Sequence, residues 1–318
     1  LSNDLRDLLT ETLARGEQAI IMLNRRGYST FVLCRACGLV LSCHACGQPL
    51  VYHANGTLVC HHCDQRADVP AVCPKCGSRC IKYFGAGTEK LEAELAQLLP
   101  QARVIRMDRD TTGRKHAHEE ILAHFRRRDY DILLGTQMVA KGHDLPGVQT
   151  VGIISADASL NLPDFRAAER CFMLITQTAG RAGRHGARGE VIVQTYNPEH
   201  YAVQSALRQD YEAFYAQEIV LRRELFYPPL SRLVKLLFHH MDRQRVWDAA
   251  AAFVDVFQKA FHGRQGYMVV GPSPALIAQE RGEYRFVVLI KAADLVDVQD
   301  FLREQKMHLR DDVAIDID

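Results

Sequence analysis

Asp131-Ile132-Leu133-Leu134-Gly135-Thr136-Gln137-Met138-Val139-Ala140-Lys141-Gly142-His143-Asp144 is a short apolar run that breaks straight into Gly-Thr. An apolar run without alternation reads as a strand buried on both faces, and Gly-Thr at the start of a helix is a ready site for a backbone phosphate. Similar runs recur on both sides, at 19–23 (Ala19-Ile20-Ile21-Met22-Leu23), 103–107, 150–154 and 190–193. Ile81-Lys82-Tyr83-Phe84 reads as one more strand. Helical patterns lie between them at 88–99, 115–128 and 165–179, and Leu5, Leu8, Leu9 and Leu13 mark a helix over 4–15. Strands alternating with helices imply an α/β unit with a parallel sheet covered on both faces.

Beyond this unit the pattern changes. Helical connectors over 199–225 are stopped by Tyr227-Pro228-Pro229. Then come a strand (232–240), a helix (243–262), two strands (267–271 and 284–290), a helix (294–306) and a strand (312–317). That β-α-β-β-α-β order predicts a small α+β domain of the split βαβ kind. Trp247, at helical spacing with Val246 and Ala250, belongs to its core.

Eight of the ten cysteines form four Cys-x-x-Cys pairs: Cys34/Cys37, Cys43/Cys46, Cys60/Cys63 and Cys73/Cys76. The two-residue spacer lets one turn present two sulfurs to one ion, so eight thiolates imply two structural zinc ions. Gly38, Gly47 and Gly77 follow three of the pairs and suit the positive φ of a knuckle turn. A site closed by four cysteines leaves no position for substrate, so it holds a fold and does not catalyse. Residues 34–80 are too short to bury a useful core, and a structural zinc contributes on the order of 10 kcal/mol instead. Spacing alone leaves neighbouring, alternating and nested pairings open. Cys80 and Cys171 stand outside the pairs and read as packing residues.

Gln177-Thr178-Ala179-Gly180-Arg181-Ala182-Gly183-Arg184 closes a helix with two arginines among small residues. Small residues permit close backbone approach, and each guanidinium offers a planar fork to phosphate oxygens. Leu23-Asn24-Arg25-Arg26-Gly27 adds two cations after another strand.

Together these segments resemble the second lobe of superfamily-2 helicases: 20–27 is similar to motif IV, 135–144 to motif V and 177–184 to motif VI. The eight cysteines directly after the Leu23–Gly27 segment narrow the resemblance to replication-restart helicases of the PriA type. So do Gly85-Ala86-Gly87-Thr88-Glu89-Lys90, Met107-Asp108-Arg109-Asp110-Thr111 and the 162–170 segment. That resemblance implies a RecA-like lobe at 1–33 and 81–226, a two-zinc module at 34–80 and a C-terminal domain at 227–318. It also implies a 3′→5′ DNA helicase that recognises stalled forks, assembles the primosome and binds single-stranded DNA-binding protein.

The same resemblance assigns roles. Arg184 would be the arginine finger, Arg181 a second phosphate ligand, and Gln177 a neighbour of the γ-phosphate and attacking water. Gly180 and Asp144 would lie on the nucleotide side. Arg25, Arg26, Thr136 and Lys141 would line the DNA track. Gly85-x-Gly87 before a helix lacks the third glycine of a dinucleotide site, so a DNA phosphate is expected at the helix start marked by Thr88. The implied zinc pairing is nested: Cys34, Cys37, Cys73 and Cys76 on one ion, and Cys43, Cys46, Cys60 and Cys63 on the other.

The chain contains no G-x-x-x-x-G-K-[ST] loop, which in a helicase belongs to the lobe that holds ATP and Mg²⁺. With Leu1 in place of Met, the chain reads as a piece of a longer protein whose N-terminal lobe lies elsewhere, and it should not hydrolyse ATP alone. No apolar run approaches 18 residues and no secretory pattern opens the chain, which predicts a cytoplasmic protein with no membrane span. A net charge of +1 gives no global attraction to DNA, so contacts must come from local clusters. The competing expectation is a non-enzymatic docking module for DNA or proteins. The two part at Arg184, which serves chemistry in one and only DNA affinity in the other.

Overall fold

The computed structural model describes residues 1–23, 32–34, 36–44, 50–52, 57–60, 65–83, 88–108, 111–113, 116–140, 145–162, 164–183 and 189–318. The chain opens with α1 (Asn3–Ala14), β1 (Gln18–Leu23), β2 (Val32–Cys34), β3 (Val51–Tyr52), β4 (Thr57–Val59), β5 (Arg66–Asp68) and β6 (Ile81–Tyr83). It continues with α2 (Thr88–Leu98), β7 (Val104–Met107), α3 (Ala117–Arg126), β8 (Ile132–Gly135), β9 (Val148–Ile154), α4 (Asp157–Leu160), α5 (Ala167–Ala179) and β10 (Glu190–Gln194). It ends with α6 (Tyr201–Leu207), α7 (Tyr211–Glu224), β11 (Arg232–His240), α8 (Arg243–Ala260), β12 (Tyr267–Glu280), β13 (Glu283–Ala292), α9 (Val296–Glu304) and β14 (Val313–Ile317).

All six residues of β1 are buried, as a central parallel strand requires. It lies in a five-stranded sheet of order β10-β9-β1-β8-β7, and every neighbouring pair in it is parallel. The pleat divides the side chains between two cores. Ala19, Ile21 and Leu23 join Leu5 and Leu9 of α1 and Leu91 and Leu95 of α2. Ile20 and Met22 join Phe125 of α3 and Cys171, Phe172 and Ile175 of α5. A Cβ at Gly152 would lie 2.9 Å from Leu5 carbons, so the bare backbone there is what lets α1 lie close to β9. This is the parallel α/β lobe expected, in a compact unit of Leu1–Gly27 and Phe84–Tyr215.

One strand is placed differently from its expected position. Ile81–Tyr83 does not join the parallel sheet. It pairs antiparallel with Val32–Cys34 as a separate two-stranded sheet, so both strands leave the lobe and frame the cysteine module. The helix expected over 165–179 begins at Ala167, because the Asp164 side chain accepts from the Arg166 N–H at 2.9 Å and holds a turn just before it. The 199–225 stretch is two helices, α6 and α7.

The second compact unit gathers Tyr28–Tyr83 with Ala216–Asp318. Its C-terminal part is an antiparallel sheet of order β12-β13-β11-β14 with α8 and α9 sharing one core, the split βαβ arrangement expected. Val234, Leu236 and Phe238 meet Phe253, Phe257 and Phe301 there. Trp247 packs edge-on to Phe286 at 5.4 Å, a core role as expected. The β12–β13 hairpin turns on Arg281 and Gly282, both with positive φ, as in a type I′ turn.

Candidate metal centre and phosphate-facing loops

Two knuckle turns build the metal centre. The Cys34 N–H donates to the Leu39 carbonyl at 2.9 Å and the Gly38 N–H returns to the Cys34 carbonyl at 2.8 Å. The second knuckle repeats the pattern, with Cys73 N–H to Ser78 and Gly77 N–H to Cys73. Gly38 and Gly77 have φ of 73° and 71°, the left-handed conformation their sequence position suggested. The knuckles bring Cys34, Cys37, Cys73 and Cys76 together with all four sulfurs within 4.8 Å of one another. Cys34 Sγ lies 3.6 Å from Cys76 Sγ, and Cys37 Sγ 3.7 Å from Cys73 Sγ.

Those separations decide the chemistry. They are far longer than a disulfide bond of about 2.05 Å. They match the edge of a tetrahedron with metal–sulfur bonds of ~2.3 Å, which is about 3.8 Å. Electrostatics agrees. Burial alone would raise the Cys73 thiol, but backbone N–H groups of Cys76 and Lys75, with the Cys37 and Cys76 thiols, bring it down to about 7. At Cys76 the Ser78 backbone hydrogen bond favours the thiolate, but burial and the sulfurs of Cys37, Cys34 and Cys73 outweigh it and push the thiol up to about 12. Four thiolates in so small a space therefore need a cation, and the set can hold one structural metal ion. The nested grouping is observed for these four residues.

The other four are described in part. Cys43 and Cys60 are buried in one small core with Val32, Leu41, Leu50 and Leu58. The Cys60 N–H donates to the Gln65 carbonyl at 2.8 Å, the same five-residue closure seen at Cys34 and Cys73. Cys46 and Cys63 lie outside the described residues. Cys171 is buried, and its thiol is raised to about 12 by burial and then by Asp157. Cys80, expected to pack, is instead exposed.

In the parallel lobe the strand order reverses at β1, flanked by β8 and β9. Ligands of such sheets bind outside the carboxyl ends of the strands at that switch point. Gly135, the last residue of β8, stands in register with Met22 of β1 and Met107 of β7. A Cβ on Gly135 would come 2.4 Å from the Met107 carbonyl oxygen, so only glycine fits there. Thr136 follows at once, half-buried, and its carbonyl accepts from the Val139 N–H to start a 3-10 turn.

Gln177, Gly180 and Arg181 serve the other edge. Gln177 is exposed near the C-terminus of α5. The Gly180 and Arg181 N–H groups close the helix onto Thr176 and Thr178 at 3.1 and 3.0 Å. Gly183, at φ 68°, donates to the carbonyl of Val148, the first residue of β9, at 3.1 Å. Thr136 and the Gly180–Gly183 turn thus occupy opposite ends of one sheet. Arg25, Arg26, Lys141, Asp144 and Arg184 lie outside the described residues.

Thr88, expected to mark a helix start that meets a DNA phosphate, is the first residue of α2. Its side chain is buried and its hydroxyl donates to Asp108 Oδ2 at 2.5 Å. Asp108 itself was not singled out by the sequence reading. It is buried, accepts from the Thr111 N–H at 3.0 Å and pairs with Arg106 at 3.2 Å, tying the start of α2 to the end of β7. The Asp-x-x-Thr spacing is the signal for such a turn.

Comparison with known proteins follows the same division. Residues 223–318 match the family described as Primosomal protein N C-terminal domain, and residues 75–186 match Helicase conserved C-terminal domain. The chain is 45% identical over 313 residues to the Replication restart protein PriA of Bacillus subtilis (strain 168), covering 98% of this chain and 39% of that protein. Its counterpart from Synechocystis is 40% identical over 322 residues, covering 100% of this chain and 38% of that protein. The chain therefore spans about two fifths of the length of these curated relatives. Among solved structures, the C-terminal domain of the DEAD-box protein Dbp5 aligns over 70% of this chain and 92% of its own at 14% identity. Its TM-score of 0.35 is too low to carry any part of the fold argument. No helix among the described residues is long and apolar enough to cross a membrane.

Proposed function

The chain belongs to the PriA replication restart family, and from that premise we propose that it works as the second motor lobe, zinc module and C-terminal domain of an ATP-dependent DNA helicase. The helicase moves 3′→5′, recognises stalled or branched forks and assembles the primosome for restart in the cytoplasm. Forked and single-stranded DNA, single-stranded DNA-binding protein and primosome proteins are its partners.

Arg184 is the arginine finger, Arg181 a second phosphate ligand, and Gln177 a neighbour of the γ-phosphate. A guanidinium so placed neutralises charge developing on the transferring phosphoryl group, which is worth roughly 10³–10⁵ in rate. Gly180 lets the turn approach the nucleotide, and Asp144 serves the nucleotide. Arg25, Arg26, Thr136 and Lys141 line the DNA track, and of these Thr136 follows the carboxyl end of β8. ATP and Mg²⁺ are held by a nucleotide-binding lobe, since the sequence lacks a G-x-x-x-x-G-K-[ST] loop, and this chain alone does not turn over ATP.

Two zinc ions are structural, one on Cys34, Cys37, Cys73 and Cys76 and one on Cys43, Cys46, Cys60 and Cys63. Zinc closed by four thiolates supplies folding free energy and no open position for chemistry. The observation that supports the whole reading is a four-thiol cluster that lies, in the order of the sequence, between the first strand of a parallel sheet and the next helix. The test is single-stranded-DNA-stimulated ATPase of the chain joined to a nucleotide-binding lobe, with and without Arg184→Ala. Turnover only in the joined protein, abolished by the substitution at unchanged DNA affinity, is the expected result. Turnover that survives it would remove Arg184 as the finger.

A further inference from the structure

The carboxyl edge of the parallel sheet carries a second built feature, at the ends of β9 and β10. Ser155 follows β9 with φ 63°, and its buried hydroxyl has no hydrogen-bond partner among the described residues. The next N–H, of Ala156, donates to the Gln194 carbonyl at 3.2 Å and joins the two strand ends. Asp157 is only 2% exposed. Its carboxylate accepts from the Thr195 hydroxyl at 3.1 Å and from the Asn197 amide at 3.0 Å. The Tyr196 N–H lies 3.0 Å from Oδ2 and 3.2 Å from Oδ1. The Asn197 N–H returns to the Thr195 hydroxyl at 3.0 Å. A carboxylate is costly to bury unless hydrogen bonds replace its water, and here they all come from one surface turn.

What that turn presents is an aromatic ring. Tyr196 is 40% exposed, on the edge where Thr136 also lies. Its backbone is fixed by Asp157. An exposed tyrosine on a fixed backbone needs only its side-chain torsions ordered to receive a partner ring, and stacking accepts any base because every base has a π-face.

We propose that Tyr196 is a stacking platform for a base of the single strand that crosses this edge, and that Asp157 is its positioning residue. The proposal rests on the DNA-track reading above. It assigns to the β9–β10 end a base contact that complements the phosphate contacts expected near Thr136 and Lys141.

The experiment uses the 318-residue chain with single-stranded DNA carrying 2-aminopurine, titrated over a salt series. Stacking quenches 2-aminopurine emission. Tyr196→Ala is expected to weaken binding roughly tenfold and lose the quench, with the salt slope unchanged because no phosphate contact is lost. Tyr196→Phe should retain both. Asp157→Asn should give a partial loss of quench, and thermal unfolding of each variant checks that the lobe still folds. If the parent chain binds with a clear salt slope and Tyr196→Ala matches it in affinity and quench, the stacking proposal fails while the DNA track stands. If the parent chain binds no single strand at any salt, the DNA-track reading fails and takes this proposal with it.

Discussion

Cys37 Sγ lies 3.7 Å from Cys73 Sγ across 36 residues of chain. No helix or long strand spans that interval among the described residues, so an ion held by the four sulfurs would add its binding free energy to the small core of Val32, Leu41, Leu50 and Leu58. Nearby, β2 and β6 pair over only three residues each. Cys34 ends the first of them, and Cys76 stands five positions before the second.

Cys73→Ser is therefore expected to remove one zinc equivalent, and Cys60→Ser the other, as read by metal analysis of the purified chain. Loss of the first ion should cost on the order of 10 kcal/mol of local stability. Amide exchange should then rise at residues 32–34 and 81–83 while the protection of 132–135 is unchanged. Retention of one ion by the Cys60→Ser, Cys73→Ser double variant would place both residues on a single ion and refute the nested grouping.

Gly135→Ala tests the close packing at the end of β8. The added methyl would come 2.4 Å from the Met107 carbonyl oxygen and 2.5 Å from Val139 Cγ1. Backbone cannot step aside as a flexible side chain would, so a loss of about 1–3 kcal/mol is expected in denaturant unfolding. Gly113→Ala is the control, since nothing lies within 4 Å of its Cβ position. Equal stability of the two variants would mean that the β8 turn relaxes freely.

Where the sequence reading succeeded and where it missed follow from how locally each feature is determined. The central strands were legible because β1 and β8 are buried at every position, which forces an unbroken apolar run. The partner of Ile81–Tyr83 was not, because three residues carry no register of their own, and the cysteine knuckles lie between the two strands in the sequence. Strand β12 runs to Glu280 through Pro272 and Pro274, well past the expected end at 271. It is an edge strand, where a proline lacking an N–H does little harm to the ladder. The metal cysteines were legible from spacing, whereas Asp108 and Asp157 were not. The donors to Asp157 come from Thr195, Tyr196 and Asn197, and the Thr88 hydroxyl reaches Asp108 from an earlier helix, so neither burial is written in the local sequence, although Asp108-x-x-Thr111 marks its turn.

Acid should weaken the lobe through Asp131. The Arg103 guanidinium donates to both carboxylate oxygens, at 2.7 and 3.0 Å, and with the Arg103 backbone N–H holds this carboxyl below the ordinary value despite partial burial. A depressed folded value means that the contribution is complete above the unfolded value of about 3.9 and is lost as pH falls through the folded one. Arg103 is more than half exposed, so the effect is modest. Asp131→Asn should flatten the decline in unfolding midpoint below about pH 4. An unchanged acid limb would assign that decline to other carboxylates.

Lys291 presents the opposite case. It is 5% exposed on β13, its ammonium donates to the Leu225 carbonyl at 2.7 Å, and it sits 3.5 Å over the Tyr227 ring. These contacts anchor the segment after α7 to the sheet, yet burial still lowers the lysine from its ordinary 10.5. The folded state then releases this proton before the unfolded state does. Between the lowered value and about 10.4, unfolding takes up a proton, so stability conferred by the native residue rises with pH. Lys291→Met keeps the buried stem but leaves the carbonyl without its donor, an expected cost of about 1 kcal/mol at pH 7. The gap between the two proteins in denaturant unfolding should widen as pH is raised from 8 towards 10.4, because only the lysine form gains. A constant gap would show that the ammonium keeps its ordinary proton affinity and that the Tyr227 ring and the Leu225 carbonyl fully offset its burial.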